Sequence, residues 1–368
     1  MIYPQSDLSA VNRCGKKTLH RPINLIIMKK RKQKHMKKGF FILTGIFCLF
    51  ACTSKQESPL YTIGVFQANE AITMDQVREA FIRSLQDRDK IHGSNIRIIA
   101  RNARGDISEV QKTAQDFVNM NVDMIFAIST PCLQAALHAT RDIPIIFASV
   151  ANPLLAGVGQ SDTEHVRHVT GVSSRSPIRK SLALIKEVLP GARRIGTLWT
   201  PSELNSTFYL DRVRETAQEL GFEIVSVPIT NSSEVLLSAH VLISRRIDAV
   251  YQISDNTINQ SFEALGQVAE ENAVPLFGGF PLSTRMGACA ALGWDFFEMG
   301  YKAGDIALDV MNGKSPGAIP IQYMSTAKLY LNLDAARKQS VRFSEKILLA
   351  ADEIMTKDTP ISRGTGGT

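Results

Sequence analysis

The chain reads S-E-V-Q-K-T-A-Q-D-F-V-N-M-N-V-D-M-I-F-A-I-S at residues 108–129 and S-E-V-L-L-S-A-H-V-L-I-S-R-R-I-D-A-V-Y-Q-I-S at residues 233–254. Serine, glutamate, valine, alanine, aspartate, isoleucine and serine recur at a constant offset of 125 residues. Each copy has helical spacing followed by a short apolar run, which is typical of a helix that leads into a buried parallel strand. The constant offset favours a true internal repeat.

The similarity between the two halves extends beyond these blocks, with looser spacing. I-G-V-F at residues 63–66 corresponds to I-G-T-L at residues 195–198, and I-P-I-I-F at residues 143–147 corresponds to V-P-L-F at residues 274–277. Each half therefore reads as strands that alternate with helices. This order predicts an α/β fold of two lobes, each with a mostly parallel sheet flanked by helices.

The net charge of +7 is concentrated at the N-terminus. Residues 1–52 hold eleven Lys or Arg and one acid, so the remaining chain has 31 basic and 34 acidic residues. A slightly acidic body lacks the basic surface that nucleic-acid binding requires. The length of 368 residues and the hydrophobic share of 44% suit about two globular domains. The sequence therefore predicts a globular protein without a nucleic-acid partner.

The N-terminal region has the pattern of an export signal. Lysines precede an apolar run at residues 40–50, which is short for a membrane span, and L-F-A-C then ends at Cys52. This pattern resembles the lipobox of bacterial lipoprotein signal peptides and implies lipidation of Cys52. An uncleaved apolar anchor is the alternative, and both place the body outside the cytoplasm at a membrane. The predicted segments are a mis-assigned extension, a signal peptide and a lipidated tether at residues 1–35, 36–51 and 52–59.

The ends of the predicted strands supply the candidate ligand site. In open α/β sheets, ligands bind beyond the carboxyl ends of the strands, so two facing lobes should form a cleft there. Most residues at these ends are small and neutral, with hydrogen-bonding side chains. Taken singly, each Ser or Thr also fits a helix cap. The candidate ligand-binding residues are Gln67, Ser129, Thr130, Ser149, Ser202, Glu203, Asn205, Ser206, Asp255, Asn256, Thr257 and Gly278.

Two groups of candidates suit the two charges of a zwitterion. Ser129, Thr130 and the backbone N–H groups after them can hold a carboxylate at a helix N-terminus. Asp255 lies at the matching place in the other lobe and can pair with an ammonium group, and Glu203 is the second choice for this role. The candidates include no Lys or Arg cluster of the kind that a phosphate would need. The residues therefore predict a small zwitterionic ligand.

Aromatic residues near the strand ends have two interpretations. They can stack on an aromatic ligand or simply pack in the core, and for each residue alone core packing is the commoner outcome. These residues are Phe66, Phe147, Trp199 and Tyr209.

Common catalytic motifs are missing from the sequence, which contains no G-x-S-x-G, H-E-x-x-H, Walker A or C-x-x-C. The enzyme alternative is a two-lobed amino-acid racemase that uses one thiol from each lobe. Cys132 follows a strand end as such a thiol should, but its counterpart at an offset of 125 residues is Thr257. The sequence therefore predicts a binding protein and not an enzyme, with no cofactor and no metal.

Four further stretches carry a family resemblance. They are I-S-T-P at residues 128–131, D-I-P-I-I-F-A-S-V-A-N-P-L-L-A-G-V at residues 142–158, V-T-G-V-S at residues 169–173 and G-K-S-P-G-A-I-P-I at residues 313–321. Together they resemble the ABC-transporter substrate-binding proteins related to tryptophan- and tyrosine-binding lipoproteins. The resemblance implies a type I-like periplasmic-binding-protein fold with three crossings between lobes and hinge closure on the ligand.

The resemblance also predicts the division into lobes. The crossings are expected near Thr170, Pro281 and Ala318. Lobe 1 would take residues 60–171 and 282–317, lobe 2 residues 172–281 and 318–345, and a C-terminal tail residues 346–368.

The function implied is solute capture for an ABC importer. The protein would be lipid-anchored on the extracytoplasmic side of a membrane and would deliver its ligand to a permease and its ATPase. The family adds an aromatic or large apolar amino acid, with tryptophan and tyrosine as first candidates, to the zwitterion that the residues predict. The alternative within the same fold is a sensor that passes ligand occupancy to a membrane receptor.

Overall fold

The computed structural model describes residues 60–356 and 359–362. The predicted signal peptide, the tether and Cys52 therefore lie outside the described residues. Within residues 60–356, no helix combines the length and the apolar character needed to cross a membrane. The described chain forms two mostly parallel sheets with helices around them, which confirms the predicted α/β fold class.

The first sheet has six strands, and every neighbouring pair runs parallel. In spatial order the strands are Ile96–Asn102 (β2), Tyr61–Gln67 (β1), Met124–Ile128 (β3), Ile145–Val150 (β4), Val169–Ser173 (β5) and Gln322–Tyr323 (β11). All five residues of β3 are buried. A continuous apolar run of this kind is expected for a central parallel strand that helices cover on both faces.

The second sheet has eight strands. In spatial order they are Glu223–Pro228 (β7), Arg194–Trp199 (β6), Ala249–Gln252 (β8), Leu276–Gly278 (β9), Ala290–Gly293 (β10), Lys328–Asn332 (β12), Glu353–Thr356 (β13) and Thr359–Ser362 (β14). The pairs from β7 to β10 are parallel, whereas β12 is antiparallel to β10 and β14 is antiparallel to β13.

Helices connect the strands. Local sequence signals mark their ends: Asp106 accepts the N–H groups of Ser108 and Glu109 at the start of α2, and Gly221, with φ 74°, ends α5. The helices are Ile72–Gln86 (α1), Ile107–Asn119 (α2), Thr130–Ala139 (α3), Ile178–Val188 (α4), Leu204–Leu220 (α5), Val235–Ser244 (α6), Asn256–Asn259 (α7), Phe262–Glu271 (α8), Phe296–Met311 (α9), Leu333–Lys338 (α10) and Glu345–Ala350 (α11).

The sequence repeat corresponds to one strand order used twice. The first sheet begins β2-β1-β3-β4-β5 and the second begins β7-β6-β8-β9-β10, so equivalent strands occupy equivalent places. Strands β3 and β8 start at Met124 and Ala249, which keeps the offset of 125 residues seen in the sequence. In the first sheet β1 lies between β2 and β3, and in the second sheet β6 lies between β7 and β8.

Each of these two strands carries a glycine that permits close helix packing. A Cβ on Gly64 of β1 would lie 2.7 Å from the ring of Phe117 on α2, and a Cβ on Gly196 of β6 would lie 2.5 Å from Cδ1 of Ile247, just after α6. The repeated Ile-Gly pair of the sequence therefore has a packing role in both lobes. It lets a bulky side chain of the following helical unit rest directly on the strand.

The sheets differ from the predicted lobe division at two strands. Strand β10 falls in residues 282–317, which were expected in lobe 1, but it pairs with β9 and β12 of the second sheet. Strand β11 was expected in lobe 2 and pairs instead with β5 of the first sheet. An apolar pattern identifies a strand but not its hydrogen-bonding partner, so these assignments needed the tertiary structure.

The chain consequently passes between the sheets later than expected. The changes of sheet follow Ser173, Gly293 and Tyr323, whereas the sequence placed crossings near Thr170, Pro281 and Ala318. The predicted tail from residue 346 is also structured in part, because it contains most of α11 and all of β13, and β13 pairs with β12.

Replacing either close-packed glycine by alanine should destabilise the fold. We expect Gly64→Ala and Gly196→Ala each to lower the free energy of unfolding by about 1–3 kcal/mol, because the added methyl group overpacks the strand–helix contact. Gly191→Ala is the matched control, since a Cβ there meets nothing within 4 Å. Urea unfolding measures the three variants, and equal stability of all three would contradict the close contacts.

Candidate functional site

A cleft lies where the carboxyl ends of strands from both sheets face each other. It encloses a cavity of about 240 Å³. The segments after β1, β2 and β3 line it on one side, and those after β6, β7 and β8 line it on the other. The lining residues are Ala68, Asn69, Gly105, Ile107, Val110, Pro131, Ser202, Glu203, Thr230, Asn256 and Thr257.

Asn69 is the first polar group on the lobe 1 side of the cleft. Its side chain is buried, and Nδ2 donates a hydrogen bond to the backbone oxygen of Asn256 across the cleft at 2.6 Å. The other half of the amide, Oδ1, is also buried and has no hydrogen-bond partner. Buried polar atoms are normally paired, so an orphan acceptor at a cavity indicates a missing donor.

The start of α3 carries two more orphan atoms. The hydroxyl oxygens of Ser129 and Thr130 are buried without a partner, and Pro131 of the same turn lines the cavity. Ser129 has φ 96° and ψ 161°, a region that almost only glycine adopts and that costs a non-glycine residue about 1–3 kcal/mol. Strain of this kind concentrates at ligand sites. The predicted site for a ligand carboxylate, Ser129 and Thr130, therefore combines two hydroxyls without hydrogen-bond partners and a strained backbone at Ser129.

Glu203 is the acidic residue that lines the cleft. Its Oε1 accepts the N–H and the hydroxyl of Thr257 at 3.0 and 2.6 Å, and its Oε2 accepts Asn205 Nδ2 at 2.9 Å and the N–H of Asn256 at 3.2 Å. These four bonds occupy its lone pairs and cap the N-terminus of α7. Glu203 thus brings a negative charge to the cleft but keeps no free lone pair.

Asp255 does not reach the cleft, which corrects its predicted role as the first ammonium partner. It is fully buried and accepts the N–H and the hydroxyl of Thr200 at 2.9 and 3.0 Å and the N–H of Ile258 at 2.9 Å. Burial, followed by the charge of Glu203, raises the pKa of the Asp255 carboxyl to about 7. Asp255 therefore caps α7 from behind, and Glu203 is the carboxylate that lines the cavity.

The side chain of Gln67, which was predicted for the site, makes its hydrogen bonds within its own lobe. Its Nε2 donates to Asp75 Oδ1 at 3.0 Å, and its Oε1 accepts a hydrogen bond from Arg78. It lies at the last position of β1, two residues before Asn69.

Ser149 and Gly278 also lie away from the cavity lining. The N–H of Ser149 donates to Sδ of Met299 at 3.3 Å. A Cβ on Gly278 would lie 1.8 Å from Oγ of Ser283, so this glycine serves close packing of the turn after β9. A position at the end of a strand was therefore not enough to predict that a residue lines the cavity.

The remaining predicted residues cluster on the lobe 2 side. Three of them line the cavity: Ser202, Asn256 and Thr257. The other two support that wall from behind, because Asn205 donates to Glu203 and Oγ of Ser206 accepts the N–H of Thr200 at 2.9 Å.

The four aromatic candidates line no part of this cavity. Phe66 and Phe147 are buried in the first core, and Trp199 packs against the second. Tyr209 is buried as well, with its hydroxyl donated to the oxygen of Ser174 at 2.8 Å. Core packing, the alternative interpretation, is therefore the correct one for this conformation. The wall open to a ligand side chain is aliphatic and consists of Ala68, Ile107, Val110 and Pro131.

Cys132 does not support an enzyme. The thiol is fully buried in the core of the first lobe, and burial raises its pKa to about 12. A thiol in that state is a poor acid–base group near neutral pH.

Sequence reasoning missed several lining residues, above all Asn69 and Thr230. The available signal for Asn69 was its position just beyond β1, two residues after Gln67, the strand's last residue and the one predicted for the site. Thr230 follows β7, an edge strand that gave no candidate.

Comparisons with known proteins agree with this architecture. The model of the family ABC transporter substrate binding protein matches residues 62–355. The chain is 37% identical over 275 residues to a tyrosine-binding protein of Clostridioides difficile (strain R20291), an alignment that covers 75% of this chain and 79% of that protein.

Two solved structures are also similar to this chain. An ABC domain from Streptococcus pneumonia in complex with L-Trp is 24% identical, with a TM-score of 0.77 over 80% of this chain and 100% of that chain. The ligand-free, open structure of a substrate-binding protein with adhesive properties from Clostridium difficile is 32% identical, with a TM-score of 0.60 over 78% and 97%. The described structure thus superposes less well on the open protein, although the sequence is closer to it.

Asp255 should make the protein less stable as the pH rises from about 4 to about 7. Its pKa is raised from 3.8 to about 7 in the folded state, so in this window the folded protein holds a proton that the unfolded chain has released. Stability falls with rising pH wherever the folded state binds more protons, by up to about 1.4 kcal/mol per pKa unit. We expect the melting temperature of Asp255→Asn to be lower overall but to depend less on pH than that of the wild type.

Asp248→Asn is the matched control for this measurement. The backbone N–H groups of Arg194 and Arg193 lower the pKa of Asp248 below 3.8, so the stability that it contributes is already complete above about pH 4. This variant should keep the wild-type pH dependence between pH 4.5 and pH 7.5. Identical slopes for Asp255→Asn and the wild type would contradict the buried-acid assignment.

Proposed function

The chain belongs to the family of ABC transporter substrate-binding proteins, and from this premise we propose that it captures a small zwitterionic amino acid between its lobes and delivers it to a membrane permease. The family consists of solute-binding proteins, so the expectation that the chain is not an enzyme is confirmed. Proteins of this family act outside the cytoplasm. The finer points, namely the ligand, the delivery step and the lipid anchor, are proposals.

The observation that carries the ligand class is the set of polar groups at the cleft. Asn69 Oδ1 is an orphan acceptor, Glu203 adds a negative charge, and both suit an ammonium group. The orphan hydroxyls of Ser129 and Thr130 do not line the cavity themselves, but they lie at the start of α3 beside Pro131, which does, and they suit a carboxylate because a helix N-terminus favours negative charge. The two groups lie after different strands of the cleft, as the two ends of an amino acid require.

The lining argues against other common solutes. None of the lining residues is Lys or Arg, so a phosphate would lack the charged donors that usually bind it. The cavity of about 240 Å³ lies just below the range of about 300–1,000 Å³ typical of drug-sized ligands. Its size therefore suits a small ligand such as a single amino acid.

The side chain of the ligand would lie against the aliphatic wall. Ala68, Val110 and Pro131 offer an apolar surface without an aromatic ring. Burial of a large apolar or aromatic side chain there would be stabilised by the hydrophobic effect and not by stacking between rings. Tyrosine and tryptophan are the first candidates because one relative is a tyrosine-binding protein and one similar structure holds L-Trp.

Binding would proceed by closure of the two lobes. The hydrogen bond from Asn69 to Asn256 already spans the cleft in the described structure. The poorer superposition on the open relative supports an arrangement near the closed state. The three places where the chain passes between the sheets would serve as the hinge for such a movement.

We expect L-tyrosine or L-tryptophan to stabilise the wild-type protein in a thermal-shift screen of the twenty amino acids. A ligand at 100 times its Kd stabilises the folded state by about 2.7 kcal/mol. Glu203→Gln removes the charge and should weaken binding of the best amino acid about tenfold. Myo-inositol and inorganic phosphate are the controls, and stabilisation by either of these but by no amino acid would contradict the proposed ligand class.

The anchor at the N-terminus is proposed to be a lipid on Cys52. Because the sequence L-F-A-C fits a lipobox, Cys52→Ala should move the protein from the membrane fraction to the soluble extracytoplasmic fraction of expressing cells. Cys48→Ala is the matched control, since Cys48 lies in the predicted signal peptide and is not the lipidated residue. Retention of Cys52→Ala in the membrane would show that the apolar segment itself is the anchor.

A further inference from the structure

Asn69 divides its side-chain amide between two tasks. Nδ2 donates to the backbone oxygen of Asn256 at 2.6 Å, a bond that joins the loop after β1 to α7, 187 positions along the chain. Oδ1 has no partner although the residue is only 2% exposed. One half of the amide thus links the lobes, and the other half is unsatisfied beside the cavity that Asn69 lines.

The orientation of this amide follows from the chemistry of its partner. A backbone oxygen can only accept hydrogen bonds, so the NH₂ group of Asn69 must face Asn256. Flipping the amide would place two acceptors against each other. The free group is therefore an acceptor, and whatever satisfies it must donate a proton.

The partner of Asn69 is itself held firmly. The peptide N–H of Asn256 donates to Oε2 of Glu203 at 3.2 Å, and Thr257 donates to Oε1 of the same carboxylate. Glu203 therefore fixes the start of α7 in its own lobe. Because Glu203 holds Asn256 in place, the hydrogen bond from Asn69 to the oxygen of Asn256 joins the loop after β1 to a fixed part of the second lobe.

We propose that Asn69 makes closure of the lobes conditional on a ligand ammonium group, which binds Oδ1 while Nδ2 binds Asn256. This inference rests on the proposed function and assigns a specificity role to a residue within it. In the open state, water can satisfy both halves of the amide. Closure brings Nδ2 to Asn256 but shuts Oδ1 away from water, and an unpaired buried acceptor disfavours the closed state.

An ammonium group removes this penalty. It supplies a donor to Oδ1 and brings its positive charge into the cavity that Glu203 lines from the other lobe. A ligand without a donor at this point would leave Oδ1 unpaired in the closed state. Asn69 therefore favours the closed state when an amino acid is bound. It disfavours the closed state when the cleft is empty or holds a simple carboxylic acid.

The test compares two ligands that differ only in the ammonium group, L-tyrosine and 3-(4-hydroxyphenyl)propionate. Titration calorimetry gives the ratio of their Kd values for the wild type and for Asn69→Ala. We expect the wild type to prefer tyrosine and the variant to lose at least tenfold of that preference, because a hydrogen bond between an acceptor and a charged donor is removed. Asn119→Ala, a surface substitution on α2, should keep the wild-type ratio.

Asn69→Asp provides a second variant should the alanine variant fold poorly. It keeps an acceptor for the ammonium group and loses the donor to Asn256. Its preference for tyrosine over the propionate should be at least that of the wild type. Small-angle scattering should meanwhile show that ligand-free and tyrosine-saturated wild type differ in radius of gyration more than the two states of Asn69→Ala do.

Failure of the inference and failure of the proposed function give different results. A wild type that binds tyrosine, together with an Asn69→Ala variant that keeps the full preference for it, would overturn the role of Asn69 and leave the function standing. Loss of that preference in Asn69→Asp would overturn it as well. A wild type that binds neither tyrosine nor tryptophan would overturn the proposed function and the inference together.

Discussion

Parallel pairing of β1 with β3, and of β6 with β8, decides where every functional group of this protein can lie. Parallel neighbours end at the same edge of a sheet, so the loops that follow them are gathered there. Because both lobes use the same strand order, two such edges can face each other. The cleft is the space between them, and each of its walls consists of short loops and helix starts.

The polar groups in and behind the cleft walls fall into two kinds. Glu203 and Asp255 accept hydrogen bonds from the N–H groups and hydroxyls around α7, and these bonds hold the lobe 2 wall in place. Asn69, Ser129 and Thr130 on the lobe 1 side carry orphan atoms. Folding satisfies nearly all buried polar groups, so the orphan atoms beside the cavity support the proposal that a ligand completes their hydrogen bonds.

Much of the architecture was predictable because it depends on local periodicity. The repeated blocks at residues 108–129 and 233–254 correspond to α2 with β3 and to α6 with β8, and the Ile-Gly pairs mark β1 and β6. The short strands β10 and β11 were assigned to the wrong sheet. Their few residues identify a strand but not a neighbour, since pairing is decided by hydrogen bonds to distant parts of the chain.

The sequence by itself determined the α/β class, the internal repeat and the position of the cleft at the carboxyl ends of the strands, because these follow from patterns of apolar residues along the chain. It could also name Ser202, Glu203, Asn256 and Thr257, which do line the cleft. Only the tertiary structure decided that Asp255 is buried behind Glu203, that the aromatic rings belong to the cores, and that Asn69 reaches across to the other lobe. The physical reason is that burial and hydrogen-bond partnership are properties of residues brought together from distant positions, and no local pattern encodes which of two neighbouring carboxylates will face water.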